Sequence, residues 1–252
     1  MFSLFDRKNG KNPPVNGMHL WGMQGMQTLL SYNYSYSHME FARVKEFILQ
    51  KLSRELKPSL YYHNAQHTID VCRSVETLAI MEKVSADEML LLITAALFHD
   101  TGFIWSYENN EPLACEFATK TLPEFSYTPL QVSTVCQLIL STAMPQKPET
   151  LLEEILCDAD LDYIGREDFF ITALRLHREW SENSARKIPF RDWYEKQRDF
   201  VETHEFFTRS ARLLRNEKKR KNLSQVRELL DLIESSADFR IKKVNNAKNL
   251  YL

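Results

Sequence analysis

Three short stretches carry side chains able to ligate a metal or move a proton. They are Tyr62-His63-Asn64-Ala65-Gln66-His67-Thr68, Phe98-His99-Asp100-Thr101-Gly102 and Cys157-Asp158-Ala159-Asp160-Leu161-Asp162. A weaker fourth is Glu108-Asn109-Asn110-Glu111. His99-Asp100 closes an apolar run, 88–98, rich in Leu, Ile, Ala, Met and Phe. An imidazole and a carboxylate at the buried end of such a run cost several kcal/mol of desolvation unless paired or metallated. Taken alone, the pair reads equally well as a helix C-terminus with a dipole-stabilised histidine. His63 and His67 are four residues apart and would share one face of a helix. Two imidazoles at that spacing can bind one metal. A division of labour is the alternative, one ring a ligand and the other a free proton donor. By themselves they serve as well as two satisfied surface histidines. The three carboxylates of 158–162 repel one another unless a cation or arginine stands near, and Arg166 is a candidate partner. Alone, that cluster reads better as a cap for the next helix.

Together the stretches supply two imidazoles and two carboxylates in the order His, His-Asp, Asp. That donor set suits Mn, Fe, Co, Ni or Zn, with water in the remaining positions. A metal with open positions lowers the pKa of its water toward ~7.

The elements that must position these groups are helical. In 41–56, Phe41, Val44, Ile48, Leu52 and Leu56 recur at three- and four-residue steps, and Lys57-Pro58 ends the helix. Residues 65–82 carry Val71, Val75, Leu78 and Ala79 on one face. Ser85-Ala86-Asp87-Glu88 is a capping box that opens the apolar helix ending at Phe98. Pro112 fits the first position of a helix to about 122, and Thr128-Pro129-Leu130-Gln131 is a second capping box. Helices over 149–157, 167–183, 192–221 and 224–238 complete an all-α domain of about nine or ten helices, with no internal repeat. Residues 1–38 differ: polar, then Tyr/Asn/Ser-rich, they read as a flexible leader. The expected division is a leader over 1–38, a helical core over 39–190 and C-terminal helices over 191–252 that pack on it.

The 252-residue chain is long enough for a full hydrophobic core. Its 32 basic and 34 acidic residues give a net charge of -2, which excludes a basic nucleic-acid coat and an acidic tail. Neither G-x-x-x-x-G-K-[ST] nor G-x-G-x-x-G occurs. Cys72, Cys115, Cys136 and Cys157 form no C-x-x-C and read as reduced thiols. No apolar run is long enough to span a bilayer, and no signal peptide is evident. The expectation is a cytoplasmic protein.

The order H…HD…D on helices resembles the HD-domain superfamily of metal-dependent phosphohydrolases, over about 41–183. Tyr62-His63-Asn64-x-x-His67-Thr68-x-Asp70-Val71 is similar to the opening motif of class I cyclic-nucleotide phosphodiesterases, a branch of that superfamily. The resemblance implies a single helical HD bundle with a C-terminal helical extension. It implies His63 as general acid, His67, His99, Asp100 and Asp160 as ligands of one divalent metal (Mn, Fe, Ni, Co, Zn or Mg), and Asp100 as the residue that binds the attacking water. Asp158 would then orient a ligand or water. Departures also matter. The interval 101–159 has no histidine, so a second imidazole-held metal is disfavoured. No G-Y-P follows the HD pair, and the Glu-Asp pair of alarmone hydrolases is missing. Glu111 could support a metal's water shell, though a surface first-turn glutamate is the better reading.

What the resemblance implies is a metal-dependent phosphohydrolase acting on a phosphate mono- or diester, a small nucleotide-like molecule. Alternatives are a non-catalytic regulatory or binding module on the same fold, or a metal oxygenase, which would need more imidazoles than this chain offers. Arg175, Arg178, Arg186 and Lys187 are candidate phosphate contacts, with a solvated helix face the better reading for most. His177 and His204 read as satisfied or surface residues, and the basic run 212–221 as an exposed helix end rather than a nucleic-acid surface. The last helices either cover the core or form a homodimer face. No membrane partner is expected.

Overall fold

The structure, a computed structural model, describes residues 40–183 and 187–248, with side chains as far as residue 235. The expected leader, 1–38, lies outside the described residues. The fold is all-α, as expected, and no strand occurs among the described residues. Among the described residues nine helices follow one another: α1 (Phe41–Glu55), α2 (Ala65–Met81), α3 (Ala86–Phe98), α4 (Asn110–Thr121), α5 (Pro129–Ser141), α6 (Leu151–Asp160), α7 (Phe169–Asn183), α8 (Phe190–Thr203) and α9 (Arg209–Lys248). Short 3-10 turns at Thr101–Ile104, Leu122–Phe125 and Asp162–Gly165 extend α3, α4 and α6.

α3 is the axis of the core. Leu92, Ile93, Ala95, Ala96, Leu97 and Phe98 are all at most 1% exposed, so the last two turns of the helix are buried on every side rather than along a stripe. α1, α2, α5 and α6 surround it. Both capping boxes expected from the sequence form, Ser85 with Glu88 and Thr128 with Gln131. A third, Thr150 with Glu153, opens α6.

Some boundaries differ from the sequence reading. α4 begins at Asn110, because Asn109 adopts a left-handed φ of 58° that starts the helix two residues ahead of Pro112. α6 runs on to Asp160, past the expected end at 157. The expected helix over 192–221 is interrupted: α8 stops at Thr203, residues 204–208 turn, and α9 then continues through the expected break near 222. The turn follows from Asp158, which accepts hydrogen bonds from the backbone of Phe207 and Thr208 and so captures the start of α9. No described helix is long and apolar enough to cross a membrane, and all four cysteines are free of disulfides.

Candidate metal centre and cavity

α2 begins with Asn64 as its cap. The Asn64 side chain accepts from the backbone N–H of Gln66 (2.9 Å) and of His67 (3.2 Å). His63 therefore precedes the helix while His67 sits in its first turn. The expectation that the two share a helical face is corrected accordingly: their rings are 5.9 Å apart and inclined at 84°. Of the two alternatives left open by spacing alone, the rings take separate positions.

α3 ends as the main chain turns at Asp100. His99 is the C-cap residue, and Asp100 leaves the helix with φ -103° and ψ 5°. The two side chains are then free to swing toward α2 and α6. Gly102 lets the start of α4 close over them, since a Cβ there would stand 2.1 Å from the Asn110 carbonyl oxygen. Asn110 in turn donates to the His99 carbonyl (2.9 Å) and to Oδ1 of Asp100 (3.2 Å). Asp160 comes from the last turn of α6.

Four side chains from three helices thus meet. Nε2 of His67 lies 3.3 Å from Oδ2 of Asp100 and 3.2 Å from Oδ1 of Asp160. Nε2 of His99 lies 3.2 Å and 3.5 Å from the same two oxygens, and the two Nε2 atoms are 3.4 Å apart. Neighbouring ligands about 2.0–2.2 Å from a shared ion stand roughly 3 to 3.5 Å from one another. His99 donates its Nδ1–H to the Ala96 carbonyl at 2.7 Å, which turns the Nε2 lone pair toward the group. Oδ2 of Asp100 is buried and makes no hydrogen bond, although two imidazole nitrogens lie within 3.3 Å. Two facing imidazole nitrogens and two carboxylates, with one oxygen orphaned, make sense around positive charge. The residues present therefore fit a divalent ion. Among the described residues, His67, His99 and Asp100 make the tight group able to hold one, and Asp160 joins it through both imidazoles.

The electrostatics agree. Burial pulls both imidazoles down, but Asp100 and Asp160 overcome it, so His67 is raised and His99 is raised well above the usual histidine value. Burial pushes the carboxylates up, but the imidazoles hold Asp100 well below its ordinary range and Asp160 down at about 2. Tyr62, with its ring 4.5 Å from that of His67, is raised well above 10.0 by burial and then by Asp160.

His63 has a partner that the sequence reading did not name. Glu179 of α7 is 0% exposed, and its Oε1 pairs with Nδ1 of His63. Its Oε2 accepts from the backbone N–H of Tyr62 (2.8 Å) and His63 (3.0 Å), and Tyr107 donates its hydroxyl to Oε1 (3.3 Å). His63 also stacks on Phe103, with centroids 4.3 Å apart. The available signal was positional: Phe169, Thr172 and Ala173 are buried along α7, and Glu179 falls on the same side two turns later.

Other candidates lie elsewhere. Asp158 does not reach the cluster: it is 0% exposed and accepts from Phe207 N–H (2.8 Å), Thr208 N–H (2.8 Å) and the Thr208 hydroxyl (2.7 Å). Arg166 mainly holds Asp168 at 2.9 Å and stands 3.9 Å from Asp162, whose closer partner is Arg215. Arg178 pairs with Glu182 and lies over the Tyr61 ring, and Arg186 is outside the described residues. His177 bonds the Ile188 carbonyl, and His204 is held down at about 4 by burial and by Lys219.

A cavity of about 440 Å³ opens on His63, Asp100 and Asp160. Phe103, Tyr163, Leu176 and Trp180 line it, with Glu111 at the start of α4. α8 contributes Trp193, Lys196, Gln197 and Phe200.

No family model and no curated protein matches the chain. Among solved structures, it is similar to a predicted HD superfamily hydrolase from an uncultured Thermotogales bacterium. The identity is 20% and the TM-score 0.50, over 84% of this chain and 98% of that one. At that identity the likeness speaks for the fold alone, and the chain has the HD-domain fold.

Proposed function

We propose that the protein is a metal-dependent phosphohydrolase that cleaves a small phosphate ester by attack of water on phosphorus. The observation that carries the reading is the convergence of His67, His99, Asp100 and Asp160 to 3.2–3.5 Å, with a bare carboxylate oxygen, at the edge of a cavity. These four residues would hold one divalent ion. When bound, the ion supplies Lewis acidity toward a phosphoryl oxygen and a lowered pKa for water.

The rest is done by the chain's own groups. Oδ2 of Asp100 faces the imidazoles and would serve the ion, which leaves Oδ1, held by Asn110 at 3.2 Å, as the oxygen to hydrogen-bond the attacking water. Glu179 fixes His63 through Nδ1, leaving Nε2 for the cavity that His63 lines. In its protonated form His63 donates its own Nε2 proton to the leaving alkoxide as the phosphorus–oxygen bond breaks. Lys196 supplies positive charge to the cavity wall, a part for which Arg175, Arg178, Arg186 and Lys187 were candidates, with a solvated helix face the better reading for most of them.

A nucleotide-like substrate is favoured by the remaining wall. Trp193 and Gln197 are 1% and 5% exposed, one turn apart on α8, and Nε1 of the first and Oε1 of the second are buried without partners. Amid Trp180 and Phe200, they offer a donor and an acceptor to a flat heterocycle.

The test is a hydrolysis screen. Protein loaded in turn with Mn, Fe, Co, Ni, Zn and Mg is given 4-nitrophenyl phosphate, bis(4-nitrophenyl) phosphate, nucleoside monophosphates and cyclic nucleotides. Turnover that disappears in His99→Ala is expected. No turnover with any pairing, or full activity in His99→Ala, contradicts the reading.

A further inference from the structure

The stretch 158–162 places carboxylates at alternate positions, and the three have different fates. Asp160 faces the imidazoles. Asp158, two residues before it, is completely buried and takes three hydrogen bonds from Phe207 and Thr208. Asp162, two residues after it, receives the Arg215 guanidinium on both oxygens, Nε to Oδ1 at 2.5 Å and Nη2 to Oδ2 at 3.2 Å. The turn that follows is held from the same side: Asn222, 1% exposed, donates to the carbonyls of Ile164 (3.0 Å) and Arg166 (2.9 Å). Gly165 lies so close to α9 that a Cβ would stand 2.5 Å from Cβ of Arg215.

Every one of these holding groups comes from 207–222, at and after the turn that begins α9. Asp160 itself has little else to fix it. Its Oδ2 meets Gln146 at 3.5 Å, and its carbonyl meets the Tyr62 hydroxyl at 3.5 Å. Three unpaired carboxylates within five residues would repel, and each could compete for the same cation. Bonding the outer two to the C-terminal segment leaves the middle one to the imidazoles.

We infer that the start of the C-terminal helix is a working part of the metal site, with Thr208, Arg215 and Asn222 as positioning residues that set Asp160 by clasping both of its flanks. The inference rests on the reading of Asp160 as a metal ligand. A bidentate guanidinium fixes both the direction and the distance of the Asp162 carboxylate, which an ammonium does only in part. Groups that orient ligands in this way are commonly worth about 10- to 100-fold in metal affinity.

The experiment measures the dissociation constant of Co(II) and Zn(II) by chelator competition, the Co(II) absorption spectrum and the metal-free melting temperature. The full chain is compared with Arg215→Met, Arg215→Lys, Asn222→Ala and Lys218→Met. Lys218 pairs with Glu167 across the same contact without touching the 158–162 stretch, so its variant reports on loosened docking alone. Arg215→Met and Asn222→Ala are expected to raise the dissociation constant about tenfold or more and to alter the Co(II) spectrum. Arg215→Lys recovers part of the loss, and Lys218→Met keeps the parent affinity and spectrum. If Arg215→Met and Asn222→Ala bind as the parent does, the inference is overturned while the metal site stands. If Lys218→Met weakens binding as much as they do, general docking of α9 explains the effect and the inference is again overturned. If the parent chain binds no divalent ion, the inference falls together with the metal reading.

Discussion

Glu179 pairs its Oε1 with Nδ1 of His63 and uses its other oxygen to bind the backbone N–H of that same residue at 3.0 Å. One fully buried carboxylate therefore fixes both the ring and the main chain of a histidine that precedes its helix. A carboxylate so placed holds a histidine in one orientation. It follows that His63→Asn should lower kcat by about 10²- to 10⁴-fold, the usual range for a general acid, without changing metal content. Glu179→Gln should lower kcat in the same direction by a smaller factor. Steady-state kinetics together with metal analysis on each variant checks both halves. Loss of metal in His63→Asn would place His63 among the ligands instead.

Metal binding should release protons. In the ion-free chain, burial lowers the imidazoles, but the carboxylates of Asp100 and Asp160 raise His67 and raise His99 further. A raised histidine contributes stability that is complete below the unfolded value of ~6.5 and is lost as pH rises through the folded value. Asp160, held at about 2, contributes stability that is present above ~3.9 and is lost as pH falls through about 2. The ion-free chain should therefore lose stability as pH rises above ~6.5, and the gain in melting temperature on adding Zn(II) should grow over the same range. Calorimetric titrations in buffers of different ionisation enthalpy count the protons released. A count of zero at pH 7 contradicts this account of the site.

Asp158 should matter for stability beyond its size. Replacing it with alanine leaves the N–H groups of Phe207 and Thr208 without their acceptor at a fully buried position. The expected cost is about 2–4 kcal/mol, from two unsatisfied donors at about 1–3 kcal/mol each with some relaxation. Urea unfolding of the metal-free variant checks it. A midpoint equal to that of the parent would show that water replaces the carboxylate freely.

Substrate preference should reside on α8. Gln197→Leu keeps the volume and removes the buried Oε1. It is expected to raise KM for the best nucleotide of the screen about tenfold, the worth of one hydrogen bond in a dry site. KM for 4-nitrophenyl phosphate, which lacks a heterocyclic N–H, should rise less. Equal changes for both compounds would remove the base-reading role of this wall.

The sequence made α3 and its ending pair legible because a capping box, an apolar run and His99-Asp100 stand next to one another in the chain. The three stretches that converge were also legible, since each lies at or beside a helix end that the apolar pattern marks, while the choice of His67 and Asp160 within them came from the family resemblance and not from spacing. What stayed hidden needed a contact between distant segments. Glu179 lies more than a hundred residues from His63, and Arg215 about fifty from Asp162, so no local spacing connects them. Helical spacing also misled at His63 and His67, because Asn64 intervenes as a cap and starts the helix between them. The turn at 204–208 was missed for a similar reason: it is set by Asp158, far away in the chain, and by no glycine or proline within it.

The most direct test of the central claim is the metal content of purified, reloaded protein, measured by elemental analysis beside the single variants His67→Ala, His99→Ala, Asp100→Ala and Asp160→Ala. One tightly held divalent ion per parent chain is expected, with a large loss in each of the four variants whose circular dichroism still matches the parent. A parent chain that holds no ion after exposure to all six metals, or four folded variants that retain it, would contradict the account.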